Sequence, residues 1–570
     1  MVAELSGRNG PDGTVRRRGR AAPGGPGGAG GPGGAGGPGG AGGPGGAGRA
    51  GGTFRRDRAD RRARWRRAVA AVAAGAVPCL AFPAPALWWL AYVALVPWML
   101  LLRSAPTGRR AALEGWLGGA GFIVAVHHWL LPSLHVFLVP LAALLGLLWI
   151  PWALLVRELL GGAPAPGRAA AALVLVPAGW MLSELARSWQ GLGGPWGLLG
   201  ASQWQVPAAL RLASVGGVWL VSLLVVAVNC AVVLVATVPG ARVTAVASVA
   251  GCAVLTGAVW LWLPRPEVTG ALRVAVVQPG LVDGADGGEH RFAVEERLTA
   301  DLAGTRPGLV VWGESSVGAD LSARPDLSRR LAELSARVGA PLLVNVDARR
   351  SDRPGIYKSS VLVGPEGPTG DRYDKMRLVP FGEYIPARSL LGWATSVGKA
   401  AGEDRMRGAG PVVMDLPGGT RIGPLVCFES AFPDMSRHLA GEGAGVLVAQ
   451  SSTSTFQNSW APAQHASLAA LRAAETGRPV VHATLTGVSA VFGPSGERIG
   501  GELPTSASTA AVYEVPLARG TTPFVRFGNW PGGASVAVLF LYGAARGARA
   551  VRAARSAPAP SAPPARTARG

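Results

Sequence analysis

The feature that most constrains this chain is a succession of apolar runs that fills it up to residue 265. Seven runs can be read there, at roughly 68–84, 85–102, 111–131, 134–156, 168–186, 212–237 and 243–263. A helix needs about 20 apolar residues to cross the hydrocarbon of a bilayer, so the runs predict a seven-span base. A shorter run at 529–545 predicts an eighth span near the C-terminus. Charged residues make up only 16% of the chain and hydrophobic residues 49%, too few charges for a soluble enzyme of this size. The net charge of +21 taken alone would suit a nucleic-acid binder, but its placement argues otherwise. Fourteen Arg against four acidic residues precede residue 68, and six Arg with no acidic residue follow residue 545. Two basic tails bracketing a greasy middle read as topology signals and membrane-lipid contacts, with no nucleic-acid partner.

The tails themselves, 1–67 and 546–570, are expected to be unfolded. Between Pro23 and Gly52 the chain is almost entirely Gly, Pro and Ala in GGPGGA repeats, the composition of a flexible linker. Arg66 and Arg67 before the first run, Arg103, Arg109 and Arg110 after the second, and Arg157, Arg168 and Arg242 at later alternate connections place those loops and both termini on the cytoplasmic side. Residues 265–525 then form a domain on the outer face.

In that domain the apolar runs shrink to strand length, at 272–278, 309–313, 341–347, 359–363, 422–427, 445–450 and 480–484. Amphipathic helical patterns at 291–303, 327–338 and 462–476 separate several of them. Short buried strands alternating with helices predict an α/β fold. Four cysteines exclude a disulfide scaffold, and no set of residues has metal-ligand spacing or forms a phosphate loop. Three ionisable residues lie at strand ends or in an adjoining loop, where α/β folds gather function. Glu314 follows LVVWG, Cys427 ends IGPLV, and Lys375 sits in RYDKMRLVPFGEYIP. A Cys so placed is a nucleophile if a base takes its proton and a cation stabilises the developing charge; on spacing alone a strand-terminal Cys is more often a small buried hydrophobe, and an exposed Glu or Lys is usually solvated surface.

The segments VVWGESS, RYDKMRLVPFGEYIP and LVCFESAFPD together resemble the nitrilase superfamily. With WMLSELAR (180–187), GGPWGLLGASQ (193–203) and GVWLVSLLVVAVN (217–229), the chain resembles the membrane-embedded apolipoprotein N-acyltransferases from about 68 to 545. The resemblance implies a nitrilase-like α-β-β-α sandwich on a helical membrane base of about eight spans. It implies Cys427 as nucleophile, Glu314 as general base and Lys375 as oxyanion stabiliser, with Glu383 and Glu429 as supporting acids and Phe428 and Trp312 as further substrate-binding or supporting positions. Phe428 stands where many relatives have Tyr, and Ser451–Phe456 where many have an Asn-Asp-x-Trp-Phe run. No cofactor or metal is implied. The implied reaction moves an acyl chain from a phospholipid, through a Cys thioester, to the α-amino group of diacylglyceryl-modified apolipoproteins. The stretches 376–400 and 451–462 are expected to be lids dipping into the bilayer. Two rival readings are a membrane-tethered amidohydrolase and a non-catalytic anchor for a polyprenol-phosphate mannose synthase.

Overall fold

The structure is a computed structural model, and it describes residues 47–281, 287–392 and 402–556. Of the expected tails, residues 1–46 and 557–570 lie outside the described residues, as does the apolar lid segment from Trp393 to Ala401. The adjoining parts of both tails are helical: 47–67 begin α1 (Ala47–Ala76), and 546–555 end α16 (Trp530–Arg555).

The region Arg61–Gly570 forms one compact unit. Its first half holds α2 (Val96–Arg103), α3 (Gly108–Val126), α4 (Leu131–Leu134), α5 (Leu138–Gly146), α6 (Ile150–Leu160), α7 (Pro166–Arg187), α8 (Pro207–Thr237) and α9 (Arg242–Trp262). Among the described residues, five helical stretches are long and apolar enough to cross a membrane: His128–Leu160, Pro166–Arg187, Pro207–Thr237, Pro239–Trp262 and Trp530–Arg555. The first two expected spans differ from the sequence reading. They break into α1, two 3-10 turns (Val77–Ala81 and Trp88–Tyr92) and the eight-residue α2. Pro78, Pro83 and Pro85 explain the break, since Pro donates no N–H and clashes with the preceding turn. Asn229 holds the broken segment, donating to Ala91 O at 2.8 Å and accepting from Leu95 N at 2.9 Å. A cluster of Trp98, Trp149, Trp152 and Trp180, all fully buried, packs edge to face at the centre of the bundle.

The two ends of the bundle differ. At one end Glu114, buried, pairs with Arg67 and Arg110, both at 2.6 Å. Arg103 and Arg157 cap carbonyls of neighbouring helix ends there. At the other end, where α3 stops at Val126, His128 packs against Trp460 and Trp129 against Phe456 of the following domain. Those contacts seat the expected lid 451–462 on the base.

The second half contains β1 (Glu267–Gln278), α10 (Gly287–Ala300), β2 (Leu309–Trp312), α11 (Pro325–Val338), β3 (Leu342–Arg349), β4 (Ile356–Gly364), β5 (Gly367–Asp374), α12 (Arg388–Leu391), β6 (Met414–Asp415), β7 (Arg421–Val426), α13 (Pro433–Gly441), β8 (Val446–Ser451), α14 (Ala461–Thr476), β9 (Val480–Thr484), β10 (Ser489–Phe492), β11 (Arg498–Leu503), β12 (Thr509–Arg519) and α15 (Pro523–Phe527). Two six-stranded sheets form, β12-β1-β2-β3-β4-β5 and β11-β10-β9-β8-β7-β6. Polar side chains stitch their inner faces together. Gln450 of β8 donates to Trp312 O at 2.8 Å and accepts from Ser360 at 2.5 Å, and Gln278 of β1 accepts from Ser489 at 2.6 Å. The outer face of the first sheet packs apolar residues of α10 and α11. The outer face of the second carries α13 and α14.

α14 joins the two halves. One side of it faces β9 and β10, the other α8, and fifteen of its sixteen residues are buried. α8 loses helical geometry at Gly216 and Gly217, the latter at φ +69°. A Cβ on Gly217 would sit 2.6 Å from the Phe524 ring, so only Gly fits there. The break frees Val218 N–H, which donates to Glu475 of α14 at 2.7 Å; Glu475 also pairs with buried Arg472. Replacing Glu475 by Ala strands a buried guanidinium and a backbone donor, and is expected to cost about 3–5 kcal/mol. Thermal unfolding of the purified protein checks this, with Glu475→Gln falling less because its amide oxygen still accepts from Val218.

Candidate active site

Three strand ends and one loop bring the chemistry together. β2 ends at Trp312, and the chain leaves the sheet through Gly313, where a Cβ would lie 2.0 Å from Leu485 N. Glu314 follows, its N–H donating to Ser451 O at 3.1 Å across the sandwich. Ser315 then turns at φ +59° with its N–H on the Asn345 side chain at 2.8 Å. β7 ends at Val426, and Cys427 starts a 3-10 turn at φ +53°. A non-glycine residue in that region stores backbone strain, which here lifts the side chain off the sheet edge. Lys375 follows β5.

Glu429 secures the two loops to each other. Its carboxylate accepts from Val426 N (2.8 Å), Met376 N (2.7 Å), Arg377 N (3.0 Å) and the Tyr373 hydroxyl (2.7 Å). Four donors satisfy it, so Glu429 ties the Cys turn to the Lys loop and does not itself join the reacting groups. His465 of α14 supports the same turn, its Nε2 lying 3.1 Å from Cys427 O and 3.0 Å from the Ser430 hydroxyl. Burial pushes this imidazole down to about 4, so it is neutral at physiological pH and donates from Nε2 to the carbonyl.

Glu314, Glu383, Lys358 and Lys375 form a buried cluster of two anions and two cations. Lys375 Nζ lies 2.8 Å from Glu383 Oε1 and 3.2 Å from Glu314 Oε1. Lys358, on β4, lies 2.8 Å from Glu314 Oε1 and 3.1 Å from Glu383 Oε1, with Asp347 at 3.7 Å. Burial by itself would raise the Glu314 carboxyl, but Lys358 and Lys375 outweigh it and hold the group at about 2. Glu383 is lowered for the same reason. The Cys427 thiol, within hydrogen-bonding reach of Glu314, is pushed up to about 12, first by burial and then by Glu314. In the resting site the proton therefore stays on sulfur.

Glu314, Lys375, Cys427 and Glu383 thus converge as the sequence suggested. Trp312 does not: its ring turns to the opposite face of β2, packs on Phe292 and donates to Thr299 at 2.9 Å, so it belongs to the core under α10. Phe428 packs edge to face on Phe432, against the backbone at Gly194 of the membrane half. Lys358 went unassigned in the sequence, although the signal was present: the chain has three lysines, and this one interrupts a strand of buried residues. Among the described residues no group of three or more His, Cys, Asp or Glu side chains could hold a metal ion.

Comparison with known proteins adds to this geometry. The family profile described as apolipoprotein N-acyltransferase N-terminal domain matches residues 74–231, and the one described as carbon-nitrogen hydrolase matches 309–522. A protein of Allorhizobium ampelinum named apolipoprotein N-acyltransferase is 33% identical over 77% of this chain and 88% of its own. Proteins of the same name from Azotobacter vinelandii and Pseudomonas aeruginosa are 32% and 31% identical, each over 84% of this chain and 94% or 95% of their own. The chain belongs to the apolipoprotein N-acyltransferase family. Among solved structures, a CN-hydrolase superfamily protein from Xanthomonas campestris matches 43% of this chain and 91% of its own, at 20% identity and a TM-score of 0.34. Membership in the acyltransferase family places the nitrilase-like sandwich and the helical base in one enzyme.

Because the thiol sits near 12, alkylation of Cys427 by iodoacetamide is expected to rise about tenfold per pH unit between pH 7 and 10, without a plateau. Peptide mass spectrometry separates it from the other three cysteines. Lys358→Met removes a cation that favours the thiolate, so the rate at pH 9 should fall further; an unchanged rate would show that Lys358 does not act on the thiol.

Proposed function

We propose that this protein transfers a fatty acyl chain from a phospholipid to the α-amino group of the diacylglyceryl-Cys of apolipoproteins. The observation that carries the reading is the convergence of Cys427, Glu314 and Lys375 in one buried cluster, in a chain matched by this family across both halves. Cys427 Sγ attacks the ester carbonyl of the phospholipid while Glu314 accepts the thiol proton. Lys375 faces the position where negative charge develops, and stabilises it more strongly in this dry site than water would. The tetrahedral intermediate collapses to a thioester. The glycerol oxygen leaves as a lysophospholipid, taking the proton from Glu314.

In the second half the lipoprotein amine attacks the thioester, Glu314 accepts the amine proton, and the thiolate leaves and takes that proton back. The pKa arrangement suits both halves. A carboxylate held at about 2 is ionised and ready at any physiological pH, while a thiol near 12 yields its proton only as the carbonyl carbon forms its bond to sulfur. Glu383 keeps Lys375 charged and oriented, since loss of its carboxylate would leave one anion to balance two ammonium groups.

Both substrates are lipid-anchored, which fits a catalytic domain seated through α14 on a helical base. The end of the bundle rich in Arg lies opposite that domain, and this supports a cytoplasmic Arg rim with the catalytic domain on the outer side. The matched relatives carry the acyltransferase name, which favours neither the amidohydrolase reading nor a mannose-synthase anchor.

The test is intact-mass analysis after incubation with a phospholipid of defined acyl chain. Wild type should gain one acyl group on Cys427 and pass it to a diacylglyceryl-Cys peptide; Cys427→Ala should do neither. An acyl adduct persisting on Cys427→Ala would remove Cys427 as nucleophile, and free fatty acid without peptide acylation would favour hydrolysis.

A further inference from the structure

A cavity of about 530 Å³ opens where the start of α8, the end of α9 and the turn between β10 and β11 meet. It is distant from the reacting cluster. β7, β8 and β9 run parallel, and Cys427 comes directly after Val426, which is in register with Gln450 and Ala483 near their C-terminal ends. β10 runs antiparallel and finishes at Phe492 opposite Val480, the first residue of β9. The cavity therefore lies at the other end of the second sheet. Ala474 of α14 lines it, nine residues beyond His465, about 13 Å along the helix at 1.5 Å per residue.

Its lining is unusual in charge. Arg211, Arg265 and Arg498 contribute guanidinium groups, against Glu497 as the single acidic lining residue. Arg211 is 7% exposed; it donates to Leu263 O, and its Nε is buried with no hydrogen-bond partner. Arg265 lies over the Trp260 ring at 5.2 Å. Neither of these two has a carboxylate within ion-pair distance among the described residues. Glu497 accepts instead from Ser495 N at 2.9 Å, and Arg498 pairs with Glu502. Two guanidinium groups without a carboxylate partner at one cavity suit an anion, which would satisfy them with charge-assisted hydrogen bonds.

The surroundings identify the class of anion. α8 and α9 are both apolar enough to cross a membrane, and the cavity sits at the ends of those helices that meet the sandwich. Trp260 and Trp262 lie there, as tryptophans do at headgroup depth. Below them α9 leaves Val243, Val246, Val254 and Leu255 exposed, a surface for acyl chains. We infer that this cavity binds the phosphate headgroup of an anionic phospholipid, at a site separate from the one where acyl transfer takes place. A net charge of two positives in the lining favours a lipid with a net negative head over a zwitterionic one.

The test uses full-length Cys427→Ala protein, which cannot turn lipid over, titrated in detergent with short-chain phosphatidylglycerol and followed by native mass spectrometry. Phosphatidylglycerol should be retained and phosphatidylcholine not. Arg265→Gln and Arg211→Gln should each weaken retention about tenfold, the scale of one lost charge-assisted hydrogen bond. Arg265→Gln made in the Cys427 background should keep its thermal unfolding midpoint and its acyl-transfer rate, which separates this site from the reaction. Equal retention of the two lipids, or retention unchanged in both variants, would overturn the inference. So would displacement of the lipid by inorganic phosphate at equal concentration, which would assign the cavity to a soluble anion.

Discussion

Everything in the catalytic half is arranged around four charges buried together. Taking one ion into a protein interior costs several kcal/mol, and an unbalanced trio would neutralise itself by moving protons. Glu314, Glu383, Lys358 and Lys375 avoid that by balancing, each ammonium touching both carboxylates. The two sheets must then hold their relative positions, and polar bridges between them do this: Gln450 and Gln278 each tie one sheet to the other.

The second lysine changes the character of the site. With Lys375 alone, two carboxylates would face one cation, and the region around the thiol would be net negative. Lys358 brings those four groups to neutral, and Asp347 beside it is paired in turn with Arg405. What holds the Cys427 thiol protonated then comes first from burial.

Much of this was legible in the sequence, for physical reasons that particular residues make plain. The Lys loop and Cys turn were readable because their polar residues at strand ends have few structural substitutes. Glu429 was harder to assign: its position beside Cys427 signals proximity, while its work is to satisfy four donors from two loops, which depends on a fold and not on spacing. Trp312 misled because it lies two residues before Glu314, a spacing that shares one face along a continuous strand; β2 ends at Trp312, and the chain leaves the sheet through Gly313 before Glu314 is reached. The apolar run 212–237 hid a break, although the adjacent pair Gly216–Gly217 marked it. The first two spans could not be placed because three prolines left no single helix to place. Lys358 stood out as a rare lysine in a strand of buried residues, but its partners come from 44 residues upstream and 25 downstream, so the sequence flagged the residue without showing what it meets.

α14 is buried on both flanks, against the second sheet on one side and α8 on the other. A chain cut at residue 265 to release the sandwich as a soluble enzyme would strip one of those flanks. It would expose the apolar residues of that flank together with the buried Glu475–Arg472 pair, and it would leave Glu475 without the Val218 N–H. The domain boundary that looks so clear in composition is therefore not a seam along which the molecule can be divided: the membrane half serves the hydrolase-like half as a wall of its own core.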